Sequence, residues 1–200
     1  MNWASKLSLQ NLEMPSRSEE GEFIQIHILP VGRIEEDVVS HLRGCLNKIF
    51  PKAKITLIEK EVPIPREAFN PLRRQYHSTR VLWYISRTVK KEANDKILGI
   101  TSFDLYVPWL NFVFGEAQCP GRVAIISLHR LSPEFYGHPP NKDLFTERTT
   151  KEAIHELGHT LGLTHCENPK CVMAFSNSIL DTDYKNSTFC SKCAQLIKCV

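Results

Sequence analysis

The sequence has no long apolar run, since no stretch approaches the roughly 18 consecutive apolar residues of a membrane-spanning helix. It also lacks a concentrated basic patch, because its 25 basic and 22 acidic residues are spread along the chain and leave a formal net charge of only +3. These absences argue against a membrane protein and against a nucleic-acid-binding protein, which needs a basic face. No internal repeat or low-complexity tract is visible either, so the 200 residues are expected to form one domain.

The N-terminal stretch lacks the continuous apolar core of a secretory signal peptide. Residues 1–21 are therefore expected to be a flexible tail. A short docking helix is the alternative, suggested by four apolar residues: Trp3, Leu7, Leu9 and Leu12. Without a signal peptide we expect the protein to remain in the cytoplasm. In that reducing compartment its seven cysteines should bind metal or stay free thiols.

The most informative stretch is HELGHTLGLTHC, residues 155–166. On a helix, residues four apart share a face, so His155 and His159 can bind one metal ion. Gly162 can adopt the left-handed conformation that ends a helix, which lets the chain reverse and bring in His165 as a third ligand. Three protein ligands leave one tetrahedral position open for water, whose pKa zinc lowers to about 7. The pattern therefore predicts a catalytic zinc site.

Glu156 directly follows the first of these histidines and is expected to act as the general base. It would take a proton from the zinc-bound water, so that hydroxide attacks a peptide carbonyl, and would pass the proton to the leaving amine.

An amphipathic surface helix that carries histidines by chance is the structural alternative. The functional alternatives are a zinc-dependent peptide-binding protein with little or no turnover and a zinc-finger nucleic-acid module, which leaves the histidines unexplained.

Four cysteines follow the histidine motif as two close pairs: Cys166, Cys171, Cys190 and Cys193. This spacing is typical of a tetrahedral thiolate zinc site, which is closed to water and therefore structural. Such a site would contribute folding energy to residues 166–200, which have little core of their own. We expect two zinc ions per chain, with two disulfides as the alternative. The other three cysteines, Cys45, Cys119 and Cys199, are expected to be free or buried thiols.

The histidine motif resembles the zinc signature of the metzincins, and CENPKCVM after it, ending in Met173, resembles their Met-turn. The cysteine pattern resembles, more narrowly, that of the archaemetzincins. GITSFDLY, LNFVFGEA and KEAIHELGH also resemble this family, so the similarity extends from about Phe23 onward. The resemblance implies a zinc metallopeptidase, a hydrolase that acts on a peptide or protein substrate, and we expect a monomer.

The resemblance also assigns roles near the metal. Met173 is expected to form an apolar floor beneath the histidines, with an ordinary core methionine as the alternative. Some metzincins place a tyrosine that contacts zinc two residues further on, where this chain has Phe175. Since phenylalanine has no hydroxyl, that contribution is absent here.

The apolar patterns, with the resemblance, predict an α/β fold: a metzincin-like zincin domain with a twisted mixed sheet of about five strands and helices packed on it. The strands are expected at residues 23–30, 54–62, 98–107, 111–117 and 122–131. Helices are expected at residues 34–49 and 78–93, with long loops at 62–77 and 133–143. A third helix should start near Thr149 or Thr150, with Glu152 in its first turn. Residues 22–165 would form an N-terminal subdomain and 166–200 a zinc-stapled C-terminal one.

The predicted strand NFVFGEA, residues 111–117, is expected to bind an extended substrate as an additional strand. An exposed sheet edge offers unpaired backbone groups at the repeat of a peptide, and the metzincin resemblance implies an antiparallel fourth strand beside the cleft. An interior strand is the alternative, because residues 112–114 are all apolar. Gly115 is expected to allow close approach of the substrate, so that Gly115→Val would weaken peptide binding while keeping both zinc ions and most of the stability.

Overall fold

The computed structural model describes residues 24–90, 92 and 94–197. The predicted tail at residues 1–21 and the predicted free thiol Cys199 lie outside the described residues. In the part that is described, no helix has the length and apolar character needed to cross a membrane.

The strands of the described ranges are short. They are β1 Gln25–Pro30, β2 Lys54–Leu57, β3 Phe69–Asn70, β4 Gln75–His77, β5 Lys96–Thr101, β6 Leu105–Tyr106, β7 Gly115–Ala117 and β8 Val123–Ser127. Five of them form the predicted mixed sheet, in the order β2-β1-β5-β8-β7. The first four strands are parallel, and β7 runs antiparallel to β8 at the sheet edge.

Helices cover both faces of this sheet. They are α1 Glu36–Ile49, α2 Ser78–Thr88, α3 Lys142–Thr160, α4 Ile179–Tyr184 and α5 Ser191–Leu196. Apolar residues of α1 and α3 share one buried cluster with one face of β1, β5 and β8. Those of α2 share a second cluster with the opposite face. Each of these strands thus contributes residues to two hydrophobic cores, one on each side of the sheet, because successive side chains point to opposite faces.

Several predicted element bounds were wrong. The predicted strand 54–62 ends at Leu57, the predicted helix 78–93 ends at Thr88, and the predicted strand 98–107 is split into β5 and β6. The predicted loop 62–77 contains β3 and β4, which form a second sheet in the order β3-β4-β6. Pairing of β4 with β6 joins distant segments, so local sequence patterns do not reveal it.

The start of α3 was also predicted wrongly. The helix begins at Lys142, and the Asn141 side chain caps it by accepting a backbone N–H at 3.0 Å. Thr149 and Thr150 therefore lie within the helix, where they are buried. Glu152 is likewise mid-helix, too far from the N-terminus to interact with its dipole.

Candidate active site and metal centres

Three histidines converge at the end of α3. His155 and His159 lie one turn apart, with their Nε2 atoms 3.1 Å from each other. Gly162 follows with a φ of +92°, a left-handed conformation that reverses the chain and brings the His165 ring to 5.3 Å from the His155 ring. One ligand atom from each histidine lies within 4.8 Å of the others. Tetrahedral zinc with Zn–N bonds of about 2.0–2.1 Å needs N–N separations of about 3.3 Å, so these residues fit the ion.

Backbone carbonyls orient two of the rings. His155 Nδ1 lies 2.7 Å from the Val172 carbonyl, and His159 Nδ1 lies 2.7 Å from the Leu163 carbonyl. Because only an N–H can donate to a carbonyl, each Nδ1 carries the proton and each Nε2 keeps its lone pair for a metal. Burial lowers the pKa of both histidines and of His165, which favours the neutral imidazoles that bind metal.

Glu156 is buried beside the histidines. Burial raises the pKa of its carboxyl group well above the usual range, and the charge of Glu152 adds to this. Its side chain lies against Gly115 of β7, where a Cβ would come within 2.6 Å of Glu156 Oε1 and 2.7 Å of the Ile125 carbonyl oxygen. The missing side chain of Gly115 therefore leaves room for the Glu156 carboxyl group and the Ile125 carbonyl of the same protein, not for a substrate. These overlaps contradict the expectation that Gly115→Val keeps most of the stability, whereas retention of both zinc ions stays a prediction.

A cleft of about 590 Å³ opens over the histidines. Residues 109–117, which include β7, line one side, and Phe175, Ser176 and Asn177 lie among the residues of its wall. Since β7 is the edge strand of the five-stranded sheet, the interior-strand alternative is excluded. Only residues 115–117 of the predicted strand 111–117 pair as β7, while the preceding residues form the cleft rim.

The four predicted cysteines also converge. Their sulfur atoms lie within 4.8 Å of one another, and Cys166 Sγ is 3.8 Å from Cys190 Sγ. A tetrahedron with Zn–S bonds of about 2.3 Å has edges of about 3.8 Å, whereas a disulfide needs about 2.05 Å. All four are free thiols, so the structure contains neither disulfide of the alternative interpretation.

The environments of the four sulfurs differ. A hydrogen bond from the Cys193 backbone lowers the pKa of Cys190 to about 7, which favours its thiolate near neutral pH. Burial raises the pKa of Cys171 and Cys193. A bound cation would favour ionisation of these buried thiols, which is the chemistry of a thiolate metal site.

Met173 is fully buried below the end of α3. A Cβ at Gly158 would overlap the Met173 sulfur, so this glycine gives the methionine its place directly under the helix. Phe175 is exposed, and its ring packs against that of His165 with centroids 5.0 Å apart.

Sequence reasoning missed one charged pair at the site. Glu152 lines the cleft, yet it is buried, with Oε1 at 2.9 Å from Lys185 Nζ. The Thr182 hydroxyl donates to the same oxygen at 3.1 Å. Lys185 stands alone in a polar stretch of the sequence, so no pattern distinguished it from a surface lysine.

Cys45 and Cys119 are free thiols, as predicted, and Cys119 lies at the cleft.

Known proteins match this chain over most of its length. The model of peptidase family M54 matches residues 24–199. An archaemetzincin from Methanocaldococcus jannaschii is 46% identical over 175 residues, which cover 88% of this chain and 93% of that protein. The crystal structure of an archaemetzincin from Methanopyrus kandleri has a TM-score of 0.78 at 38% identity, covering 90% of this chain and 97% of that one. Another, from Archaeoglobus fulgidus in complex with malonate, has a TM-score of 0.74 at 39% identity, covering 86% and 99%.

Proposed function

Because the chain belongs to peptidase family M54, the archaemetzincins, and is thus a zinc metallopeptidase, we propose a specific set of catalytic residues. His155, His159 and His165 hold the catalytic zinc, and Glu156 is the general base. The main support is the convergence of the His155 and His159 Nε2 atoms, 3.1 Å apart, with both Nδ1 protons directed to carbonyls. Family membership favours this enzyme over a peptide-binding protein without turnover.

The residues around the metal position would divide the chemistry between them. When bound, zinc supplies a Lewis acid that polarises a peptide carbonyl and acidifies a water molecule. Glu156 takes a proton from that water and gives it to the leaving amine, so the peptide bond breaks as water is added. Its burial against Gly115 supports this role, because burial strengthens proton binding and the tight contact fixes the carboxylate in place.

The substrate is a peptide or protein, and we propose that it binds as an extended chain along β7. The position of β7 at the sheet edge supports this, because an edge strand offers unpaired backbone groups to an added strand. The cleft extends over residues 109–117, which border the position of Glu156. An extended chain there would pass its backbone across the three histidines.

We further propose a second, structural zinc ion bound by Cys166, Cys171, Cys190 and Cys193. The 3.8 Å sulfur separation supports it. In this arrangement residues 22–165 form the subdomain with the catalytic helix, and residues 166–200 form a C-terminal subdomain held by the thiolate site and carrying the Met173 floor.

The protein is also proposed to act as a cytoplasmic monomer without a nucleic-acid or membrane partner. The cysteines of the described ranges are free thiols, which supports a reducing compartment. The even distribution of its 25 basic and 22 acidic residues supports the lack of a nucleic-acid partner.

The catalytic assignment is tested by two substitutions in the zinc-loaded protein. Glu156→Gln removes a base but no ligand, so peptide hydrolysis should fall at least about a hundredfold while zinc content stays unchanged. His159→Ala removes a ligand, so one zinc ion should be lost together with activity. Turnover is measured with a peptide library and zinc by elemental analysis of the purified variants.

His129→Ala is the matched control for the histidine, because His129 is exposed and does not line the cleft. It should change neither activity nor zinc content. Near-normal turnover by Glu156→Gln, or retention of full zinc content by His159→Ala, would show that the residues have other roles.

A further inference from the structure

A short hairpin stands at the rim of the catalytic cleft. Leu105 and Val113 pair antiparallel, and the chain between them reverses where the Leu110 N–H donates to the Val107 carbonyl at 3.1 Å. We call residues 107–111 the rim turn. Trp109 at its tip is 84% exposed, and both Trp109 and Leu110 line the same cleft as the three histidines.

Side chains of the segment from Arg73 to Gln75 fix the backbone of the rim turn by hydrogen bonds. The Arg73 guanidinium donates to the carbonyls of Leu110 at 2.8 Å and Asn111 at 2.9 Å. The Gln75 amide donates to the same Asn111 carbonyl at 2.9 Å. Arg73 is itself fixed by Gln75 Oε1 at 2.9 Å and by the Tyr106 ring, 4.4 Å from its guanidinium carbon. Trp109 is thus presented on a preorganised backbone, which reduces the entropic cost of binding through it.

Beside the rim turn, the cleft wall carries large apolar side chains. None of the described residues that line the cleft is a lysine or an arginine, and its charged side chains are carboxylates: Glu116, Glu152 and Glu156. Aromatic residues also line it, including Phe112 and Phe114, whose rings pack at 5.0 Å. On the rim turn itself, Trp109 is 84% exposed and Leu110 is 37% exposed. Large apolar side chains exposed together beside a cleft are typical of a binding surface.

We propose that the rim turn is a substrate subsite that binds a large apolar side chain of an extended polypeptide, away from the scissile bond. This proposal rests on the proposed function, because its occupant is the peptidase substrate. The subsite is continuous with the catalytic cleft, which is why the substrate is the favoured occupant.

The reach of the subsite sets the substrate class. Trp109 precedes Gly115, which contacts Glu156, by six residues. An extended chain of six residues spans at most about 20 Å, so the bound side chain lies within about six residues of the scissile bond. The enzyme therefore prefers polypeptides that carry a leucine or aromatic residue at such a distance, and dipeptides are poor substrates.

Binding is tested without turnover in zinc-loaded Glu156→Gln protein. Labelled 14-residue peptides of serine and glycine carry a single leucine that is moved along the chain, and affinity is measured by fluorescence anisotropy. Leucine at one or two neighbouring positions should tighten binding about tenfold, as expected for burial of its side chain. Trp109→Ser in this background should remove most of that gain, and Trp109→Phe should retain it.

Trp83→Ser is the matched control. Trp83 is also exposed, on α2, and contacts Arg87, but it does not line the cleft. It should leave the leucine preference unchanged. The subsite is refuted by affinity that ignores leucine position, by equal losses for all peptides on Trp109→Ser, or by a dimer in sedimentation that Trp109→Ser dissociates. Leucine-dependent binding together with a wild type that cleaves none of these peptides would refute the proposed function and leave the subsite standing.

Discussion

At the scale of single residues, the buried Glu152–Lys185 ion pair is expected to affect stability strongly. Both side chains are almost completely buried. Lys185 Nζ lies 2.9 Å from Glu152 Oε1 in an ion pair, but the angle between them does not satisfy a hydrogen bond. Removing one member of a buried pair leaves the other charge uncompensated in a region of low dielectric. Removing both charges together avoids that penalty.

Lys185→Met is therefore expected to lower the free energy of unfolding by about 3–5 kcal/mol, because it leaves the Glu152 carboxylate unpaired. The double variant Glu152→Gln/Lys185→Met should recover most of the loss. Urea unfolding of the zinc-loaded variants, followed by circular dichroism, measures both.

The exposed ion pair between Lys142 and Asp37 provides the control, since its charges remain hydrated and their removal should scarcely move the unfolding midpoint. A double variant that is no more stable than Lys185→Met would contradict the pairing argument.

Residues with a fixed ligand spacing were predictable, and residues defined by tertiary contact were not. The histidine and cysteine ligand sets follow from helical periodicity and from paired cysteines, and the structure brings each set together. Gly115 was recognised as a site of close approach, but only the fold shows that Glu156 is the group that approaches. Lys185 gave no local signal, because its partner Glu152 lies in a different segment of the chain.

At the scale of elements, α3 must satisfy both ligand geometry and close packing. Gly158 lies between the proposed ligands His155 and His159 on this helix. Because it has no side chain, the Met173 sulfur and the Phe189 ring can pack close to the helix backbone. Glycine is normally unfavourable in a helix by about 1 kcal/mol relative to alanine. Its presence here is explained by packing.

Gly158→Ala is expected to lower stability by about 1–3 kcal/mol, because its methyl group overlaps Met173 and forces repacking beneath the histidines. Zinc affinity at the histidine site should fall with it. Thermal unfolding and competition with a zinc chelator measure the two effects.

Gly44→Ala in α1 is the matched control, because a Cβ there meets no atom within 4 Å. Helix propensity alone should then raise stability by up to about 1 kcal/mol. If both substitutions stabilised the protein, the proposed packing of Met173 against α3 would be wrong.

Strongly periodic elements were predicted well, and their ends less well. Val39, Leu42 and Leu46 repeat at helical spacing and are buried on α1 as that pattern requires. The early start of α3 was missed because Thr149 and Thr150 also suit a cap, whereas Asn141 follows two prolines in a stretch that resembles a loop. Strands β4 and β6 are too short to show a period, and only their pairing with other strands defines them.

At the scale of the whole molecule, the segment from Cys166 to Cys193 is joined to the catalytic helix at several points. The Cys171–Met173 stretch supplies a thiol, the Val172 carbonyl that orients His155, and the methionine under Gly158. The Cys166 N–H donates to the Met173 carbonyl at 2.9 Å. Arg148 of α3 also forms two 2.7 Å hydrogen bonds with the Asp183 carboxylate. The two proposed metal sites therefore share one structural unit.

The histidine site should consequently lose its zinc ion before the cysteine site, and disruption of the cysteine site should speed zinc loss from the histidine site. Elemental analysis of the wild type should find two zinc ions, and a chelator should remove first the ion held by neutral histidines and an exchangeable ligand, before the ion held by four thiolates. Cys166→Ser removes a thiolate next to His165, so it should lose the structural ion and also accelerate chelator removal of the catalytic ion several-fold. Cys45→Ser, at a thiol outside both sites, should change neither. If Cys166→Ser left catalytic zinc release at the wild-type rate, the two sites would be independent, and the C-terminal segment would stabilise the fold without controlling the catalytic centre.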